Sequence, residues 1–411
     1  MLGEICDIEM EGHLIDSLML TKVLDKIMDM GGEFEIKIFR IGQKKNDSSY
    51  ARIAVMGKDA ANLERILLEL HSLGARSVEV EDARIEICPG DMVVPKGFYS
   101  TTNHPTLIQT EGAWMRVENS RMDCLITVKD GKARSTPINH IHRGDRVVVG
   151  TAGVKVMPPE RPREKSFFGF MNNEVSSERP SREIIRQLAG EIIGTRSKGG
   201  KIAAICGPAI IHTGAAPSLA WLIREGYVNV LLTGNALAVH DIERQLFDTS
   251  LGMDLHGCAT SGGHRNHLYA ISEVMESGSI EGAIREGKLK GGIMFECITR
   301  GVPFVLAGSI RDDGPLPEVI TDTVKAKDAM YEALDGVEMA LMMSTMLHSI
   351  AAGNMLPSYI KTICIDINPS TLTKLMDRGS AQAIGLVTDV GTLLPQLVEE
   401  IQDRRSQILN R

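Results

Sequence analysis

The chain has 411 residues, 43% of them hydrophobic, with 45 Lys and Arg against 53 Asp and Glu and a formal net charge of -8. That length supports two or three domains with a sizeable core, and an acidic chain without a basic stripe excludes nucleic acid as the expected partner. No apolar run reaches the roughly 18 residues of a membrane span. The acidic start MLGEICDIEMEG argues against a signal peptide, and seven scattered cysteines without a CxxC read as free thiols in a reducing cytosol.

Residues 1–87 are expected to form an α+β module. His13 to Met30 carries Leu14, Leu18, Val23, Leu24, Ile27 and Met28 at helical spacing, and Gly31-Gly32 ends the helix. Glu33 to Ile41 and Ser49 to Met56 alternate as strands, Asn62 to Leu73 is a second amphipathic helix, and Val78 to Ile87 is a last strand. This βαββαβ-like order suits a regulatory or a substrate-clamping module and does not choose between them. Residues 88–157 shift to short alternating runs such as Cys124 to Val128 and Arg146 to Val149, with Lys129-Asp130-Gly131-Lys132 as a hairpin signal, so a small β-rich domain is expected. Within it FYSTTNHPT, Phe98 to Thr106, reads as a loop that presents Asn103 and His104, or as a self-bonded Asx turn. Residues 158–182 hold Pro158, Pro159, Pro162 and Pro180 among mixed charges without a period and read as a linker.

Residues 183–411 are organised around Lys201 to Asp241. KIAAIC is a short apolar run closed by Gly207-Pro208; Ala215 to Arg224 is rich in helix formers; Val228 to Leu232 is a second buried run ending at Thr233-Gly234-Asn235. A parallel pair joined by a crossover helix is the simplest fold for this pattern. Ligands of open α/β sheets sit beyond the carboxyl ends of the strands, which puts Gly207-Pro208-Ala209 and Gly234-Asn235-Ala236 at one mouth. Three histidines follow, His256, His264 and His267, without the Cys or Glu partners a metal site needs, so no metal is expected. Polar contact to a ligand and plain structural hydrogen bonding both remain for them.

Ile293 to Cys297 and Phe304 to Ala307 read as strands. The second leads into Arg311-Asp312-Asp313, where adjacent acids are costly to bury without partners, and Asp313 becomes a candidate ligand residue. Gly336 to Ala352 reads as a Met-rich helix with a polar insert, Ser344-Thr345 followed by His348. Lys361 to Asp366 is a buried strand ending in an acid suited to ribose hydroxyls, and Ala383 to Val387 is the last strand, closing in Thr388-Asp389-Val390-Gly391. No GxGxxG follows a strand. A nucleotide would have to be held by main-chain N–H groups and helix N-termini.

The segments TGNALAVHD (Thr233 to Asp241), PFVLAGSIRDDGPLP (Pro303 to Pro317), STMLHSIAAGN (Ser344 to Asn354), DINPSTLTKLMDRGS (Asp366 to Ser380) and VTDVG (Val387 to Gly391) carry a resemblance. The chain resembles the archaeal ornithine cyclodeaminase family and is similar to the carboxyl-terminal part of cyanobacterial bifunctional arginine-degrading enzymes. Its amino-terminal half, with FYSTTNHPT, resembles a segment of bifunctional lysine-oxoglutarate reductase/saccharopine dehydrogenase proteins. The resemblance covers nearly the whole chain. It implies an α/β fold whose carboxyl-terminal parallel-sheet domain binds NAD in the manner of deoxyhypusine synthase, behind an α+β module and a small β-rich domain. Cofactor contacts would fall on Asn235, Ala236, Asp313, Thr345, Met346, Leu347, His348, Asp366, Asp389 and Val390.

The implied chemistry turns L-ornithine into L-proline and ammonia, with NAD taking a hydride from the α-carbon and returning it. A base must deprotonate an ammonium. Asp241, just past the Gly234-Asn235 strand end, is the first candidate, ahead of His240, Asp312 and Glu296. Arg311, Arg300 or Arg116 would clamp the substrate carboxylate, and Asn103 and His104 would line one wall. A cytoplasmic homo-oligomer is expected. Two other readings stay open: an NAD-dependent oxidoreductase of lysine or saccharopine, which would accumulate NADH, and a sensor that binds NAD or an amino acid without releasing ammonia.

Overall fold

The computed structural model describes residues 4–15, 18–43, 47–78, 81–157, 181–253, 260, 263–377 and 383–409. Two compact units result, one running to Phe170 and including Asn354–Tyr359, the other Met171–Gly353 with Ile360–Arg411. The expected linker lies almost wholly outside the described residues, as does His256.

Alternating and helical spacing in the first unit yield β1 (Ile5–Gly12), α1 (Met19–Asp29), β2 (Glu33–Arg40), β3 (Ser49–Met56), α2 (Ala60–Ser72) and β4 (Arg76–Ser77). The strands form one sheet in the order β2-β3-β1-β4. Ile8, Met10, Ile53 and Val55 from the sheet meet Val23, Ile27, Ile66 and Leu70 from the helices in one core. Of the strand expected over Val78 to Ile87, only β5 (Arg84–Ile87) forms, and it pairs with Arg146–Val149 in a second sheet; the first sheet is closed just before it by Arg76–Ser77. That second sheet also holds β6 (Thr106–Thr110), β7 (Ala113–Glu118), β8 (Leu125–Lys129), β9 (Lys132–Thr136), β10 (Arg146–Val149) and β11 (Val154–Val156). The hairpin signal is realised between β8 and β9, where Asp130 and Gly131 both take positive φ (51° and 69°), as a two-residue turn of this hand requires.

The second unit opens with α3 (Ser181–Ser197), β12 (Lys201–Cys206), α4 (Ala209–His212), α5 (Ala216–Arg224), β13 (Val230–Gly234) and α6 (Asn235–Phe247). It continues with α7 (Asn266–Ser277), α8 (Ile280–Arg285), α9 (Ile293–Arg300), β14 (Phe304–Ala307), β15 (Val319–Ile320) and α10 (Thr323–Ala333). It ends with β16 (Val337–Met343), α11 (Met346–Met355), β17 (Lys361–Asp366), α12 (Pro369–Asp377), β18 (Ala383–Val387) and α13 (Val390–Leu409). Every pairing in its sheet is parallel, in the order β15-β14-β13-β12-β16-β17-β18. From β12 the chain winds outward through β13 and β14, then returns to β16 on the other side. The strand order therefore reverses between β12 and β16, and ligands of such sheets bind at the carboxyl ends beside that reversal. The α/β class with a parallel-sheet carboxyl-terminal domain is as expected.

Two elements differ from the sequence reading. Ile293 to Cys297 is not a strand but the start of α9, with Ile293, Met294, Glu296 and Cys297 on its buried side. A four- or five-residue apolar run does not separate a strand from a buried helical turn. Here Gly292 at φ 99° turns the chain, and the Asp241 carboxylate accepts the Met294 amide at 2.8 Å, which starts a helix. Gly336 to Ala352 is not one helix. Val337–Met343 forms β16, buried at six of seven positions, so its letters show no helical period. Ser344, at φ 53°, breaks the run before α11 begins.

Candidate active site

The reversal between β12 and β16 is closed by backbone. Gly207 donates its amide to Met343 O at 2.9 Å, and a Cβ on Gly207 would lie 2.0 Å from Ser344 O. Only glycine fits there. Ser344 itself holds left-handed backbone, a strained state for a side-chain-bearing residue that persists where the surroundings enforce it. Its strain aims Thr345 and His348, whose Oγ1 and Nδ1 lie 3.3 Å apart, back toward the next strand end. A Cβ on Gly234, at the end of β13, would come within 3.1 Å of the His348 ring. The ends of β12, β13 and β16 thus form one continuous floor.

On the β13 side of this floor lies a cluster of histidines. His240 on α6 stands edge-on to His212 at 4.9 Å between ring centroids, and His267 on α7 is 6.2 Å from it. His240 Nδ1 donates to Glu243 Oε2 at 2.8 Å. His212 Nδ1 meets Ser250 Oγ at 2.7 Å, and His267 Nε2 is 3.2 Å from Asp313 Oδ2. Desolvation and the neighbouring His240 hold the His212 pKa below the usual histidine range. Among the described residues no group of three His, Cys, Asp or Glu side chains is arranged to hold a metal ion.

Two buried carboxylates on α6 differ sharply. Asp241 is fully buried, caps α9 through the Met294 amide, and is pushed up to about 6 by desolvation, against the pull of the Ile293 and Met294 amides. Burial would raise Glu243 as well. The His240 hydrogen bond, the Gly252 amide and the Thr249 hydroxyl outweigh it and hold Glu243 below the usual glutamate range. Both Asp241 and His240 are buried; the Asp241 carboxylate is committed to the N-terminus of α9 on one oxygen, while the His240 ring is bound through Nδ1 to Glu243.

The comparisons with known proteins agree along the whole chain. The family described as "Arginine dihydrolase ArgZ-like, C-terminal, Rossmann fold" matches residues 186–397, its first region matches 105–185, and the "LOR/SDH bifunctional enzyme conserved region" matches 5–104. The ornithine cyclodeaminase of Archaeoglobus fulgidus is 58% identical over 97% of this chain and 98% of its own length. That of Methanocaldococcus jannaschii is 55% identical over 96% of each. The chain belongs to the ornithine cyclodeaminase family. Among solved structures, the arginine dihydrolase ArgZ of cyanobacteria superposes with a TM-score of 0.87 at 39% identity, over 98% of this chain and 59% of that one. AgrE in ternary complex with ornithine and NAD+ gives a TM-score of 0.54 at 41% identity, over 98% of this chain and 58% of that one.

A dinucleotide of the kind held by that relative of the ornithine cyclodeaminase family fits the edge on three observations. Asp366, buried at the end of β17, accepts the Asn368 amide on Oδ1 at 2.8 Å, and its Oδ2 has no partner among the described residues. Leu347 in the first turn of α11, Ile367 directly after β17 and Val387 at the end of β18 are 74%, 71% and 38% exposed, apolar side chains an aromatic base would cover. The amino end of α6 has no side-chain cap, which leaves first-turn amides for a phosphate.

Other residues singled out from sequence have visible commitments. Asn235 donates to Gly314 O at 2.9 Å and accepts the Leu316 amide at 3.1 Å, so its side chain ties down the loop after β14. Asp389 accepts the Thr392 amide and hydroxyl and caps α13, whose Val390 is buried. Ala236 and Met346 lie in the first turns of α6 and α11. Arg311 is exposed on the loop after β14. Asn103 and His104 belong to the first unit, where Asn103 O accepts the Ser358 amide at 2.8 Å and burial lowers His104 to about 4. Sequence reading passed over Glu243 and His212. The His240/Glu243 spacing of three along one helix was the available signal for Glu243; His212 had none.

Proposed function

We propose that the protein is an NAD-dependent ornithine cyclodeaminase that converts L-ornithine to L-proline and ammonia. The observation that carries this reading is a hydrogen-bonded histidine group, with His240 buried within it, on the same sheet edge as exposed apolar side chains beside the buried Asp366 carboxylate. Full-length similarity to ornithine cyclodeaminases, and the presence of ornithine and NAD+ together in the AgrE complex, support it. NAD, when bound, supplies a reversible hydride sink for the substrate α-carbon. We assign its grip to Asp366 on a ribose, to Leu347, Ile367 and Val387 against the base, and to the α6 amides near phosphate.

The remaining chemistry is proton transfer. The δ-ammonium of ornithine must lose a proton before its nitrogen can attack the α-carbon, and the departing α-nitrogen must leave as ammonia. Atoms balance as ornithine to proline plus NH3, with no net oxidation. We assign the proton acceptor to His240, whose imidazole can take a proton and return it. His240 itself and its partner Glu243 are buried, which limits water at that ring. His267 with Asp313, and Arg311 on the same loop, are proposed substrate contacts. We also propose a homo-oligomer, and a cytoplasmic location, which the buried thiols of Cys88, Cys206, Cys297 and Cys364 support.

The test is an incubation of purified protein with NAD and L-ornithine. Ammonia and proline should rise together in equal amounts with no steady accumulation of NADH. NADH accumulating with product would favour an amino-acid oxidoreductase; ligand binding without ammonia would favour a sensor.

A further inference from the structure

Glu243 is 0% exposed and accepts four hydrogen bonds. Oε2 takes His240 Nδ1 at 2.8 Å and the Leu251 amide at 3.2 Å; Oε1 takes the Thr249 hydroxyl at 2.9 Å and the Gly252 amide at 3.1 Å. An ionised carboxylate can only accept. The proton between it and the imidazole therefore sits on His240 Nδ1, and the lone pair sits on Nε2. We infer that Glu243 is a positioning residue that fixes His240 in this tautomer and so makes Nε2 the base. The inference rests on the assignment of His240 above and deepens it.

The geometry also explains why one histidine of the three is selected. Besides Glu243 on its own helix, the groups that face His240 are His212 at the end of α4 and His267 on α7, itself paired with Asp313. An imidazolium at His240 would lie against a buried anion. One at His212, an exposed side chain, would touch the Ser250 hydroxyl and a second imidazole, with Glu243 acting on it only through space. His267 has only the exposed Asp313 as its acid, so His240 alone of the three is in direct contact with a buried carboxylate. Glu243 cannot rotate away, because Thr249, Leu251 and Gly252 bind its oxygens from a turn in which Leu251 and Gly252 hold positive φ (54° and 72°). In the variant Glu243→Gln, an amide N–H can point at Nδ1 and favour the opposite tautomer.

The test uses the full chain with 15N-labelled histidine, without NAD or ornithine, and reads tautomers from two-bond 1H–15N spectra, with His240→Asn to assign the signals. Wild-type His240 should be the Nδ1–H tautomer, and Glu243→Gln should shift it to Nε2–H or a mixture. With NAD and ornithine, kcat should fall by about 10²–10⁴-fold in Glu243→Gln. The acid limb of kcat/KM should move to lower pH, because the anion that favours imidazolium is gone. Glu243→Asp, which keeps the charge, should recover part of both. An Nε2–H tautomer in the wild type, or an unchanged pH limb and kcat in Glu243→Gln, would overturn the inference. If Glu243→Gln does not fold, the wild-type spectrum and Glu243→Asp decide: a wild-type Nδ1–H signal together with a kcat in Glu243→Asp that falls below wild type supports it, and an Nε2–H signal or an unchanged kcat and pH limb in Glu243→Asp overturns it. A wild-type protein with the Nδ1–H tautomer but no proline formation would count against the ornithine reading alone.

Discussion

On the β12–β14 side of the reversal the sheet edge carries His212, His240, His267 and Asp313; on the β16–β18 side it carries Leu347, Ile367 and Val387 beside Asp366 and Asp389. The first group is titratable and partly buried; its rings touch one another, and each histidine has its own polar partner at 2.7–3.2 Å, Ser250, Glu243 or Asp313. The second is apolar and open, with one acid whose second oxygen is unpartnered among the described residues. Proton transfer needs oriented groups with little water. Holding a cofactor needs area and fixed acceptors. On the roles proposed above, proton transfer falls to the histidine half, and the base and one ribose to the apolar half, with only the α6 amides reaching the cofactor from the first; turnover and most of the cofactor affinity should therefore be separable by mutation.

The largest separation is expected at His240. His240→Asn should lower kcat by about 10²–10⁴-fold while leaving the NAD dissociation constant, read by calorimetry, within about twofold. A comparable loss of NAD affinity would break the comparison.

A smaller effect concerns Asp241, on the same side but assigned a structural role. Its folded pKa is raised to about 6 from 3.8, so the fold favours the protonated form. The sign follows: that contribution is fully present below the unfolded value and is lost as pH rises through about 6. Wild-type stability should therefore carry a downward slope between those values, worth up to about 3 kcal/mol. Asp241→Asn should remove the slope in denaturant titrations at several pH values and keep turnover within about threefold of wild type. A turnover loss as large as that of His240→Asn would return Asp241 to the chemistry.

The smallest of the three is on the cofactor side. Asp366→Asn removes a charged acceptor, a loss of about 1.5–3 kcal/mol, so NAD affinity should weaken by roughly 10–100-fold. Turnover at saturating NAD should hold. A change in kcat alone would contradict the division.

Much of this edge was legible in the letters. Strands β12, β13, β17 and β18 are short, mainly apolar and bounded by turn residues, and their ends point directly to Gly207, Gly234, Asp366 and Asp389. Where a buried run has no period the reading failed: VEMALMM is strand and IMFEC is helix, because burial on all sides erases the pattern that separates the two. The site itself was half visible. His240 and Asp241 are adjacent letters, but sequence cannot say which one is committed to a helix N-terminus. That depends on Gly292 approaching Asp241 so closely that a Cβ would lie 2.8 Å from its carboxylate. The grip on Glu243 depends likewise on a turn that folds back through Asp248, Leu251 and Gly252, all at positive φ.

The central claim is that one sheet edge lends a hydride sink to an otherwise redox-neutral ring closure. Deuterium placed on the α-carbon of L-ornithine tests it directly. After incubation with the protein and unlabelled NAD, the account predicts proline that keeps the deuterium at its α-carbon, with no net NADH. Proline that has exchanged that position for solvent hydrogen would contradict it.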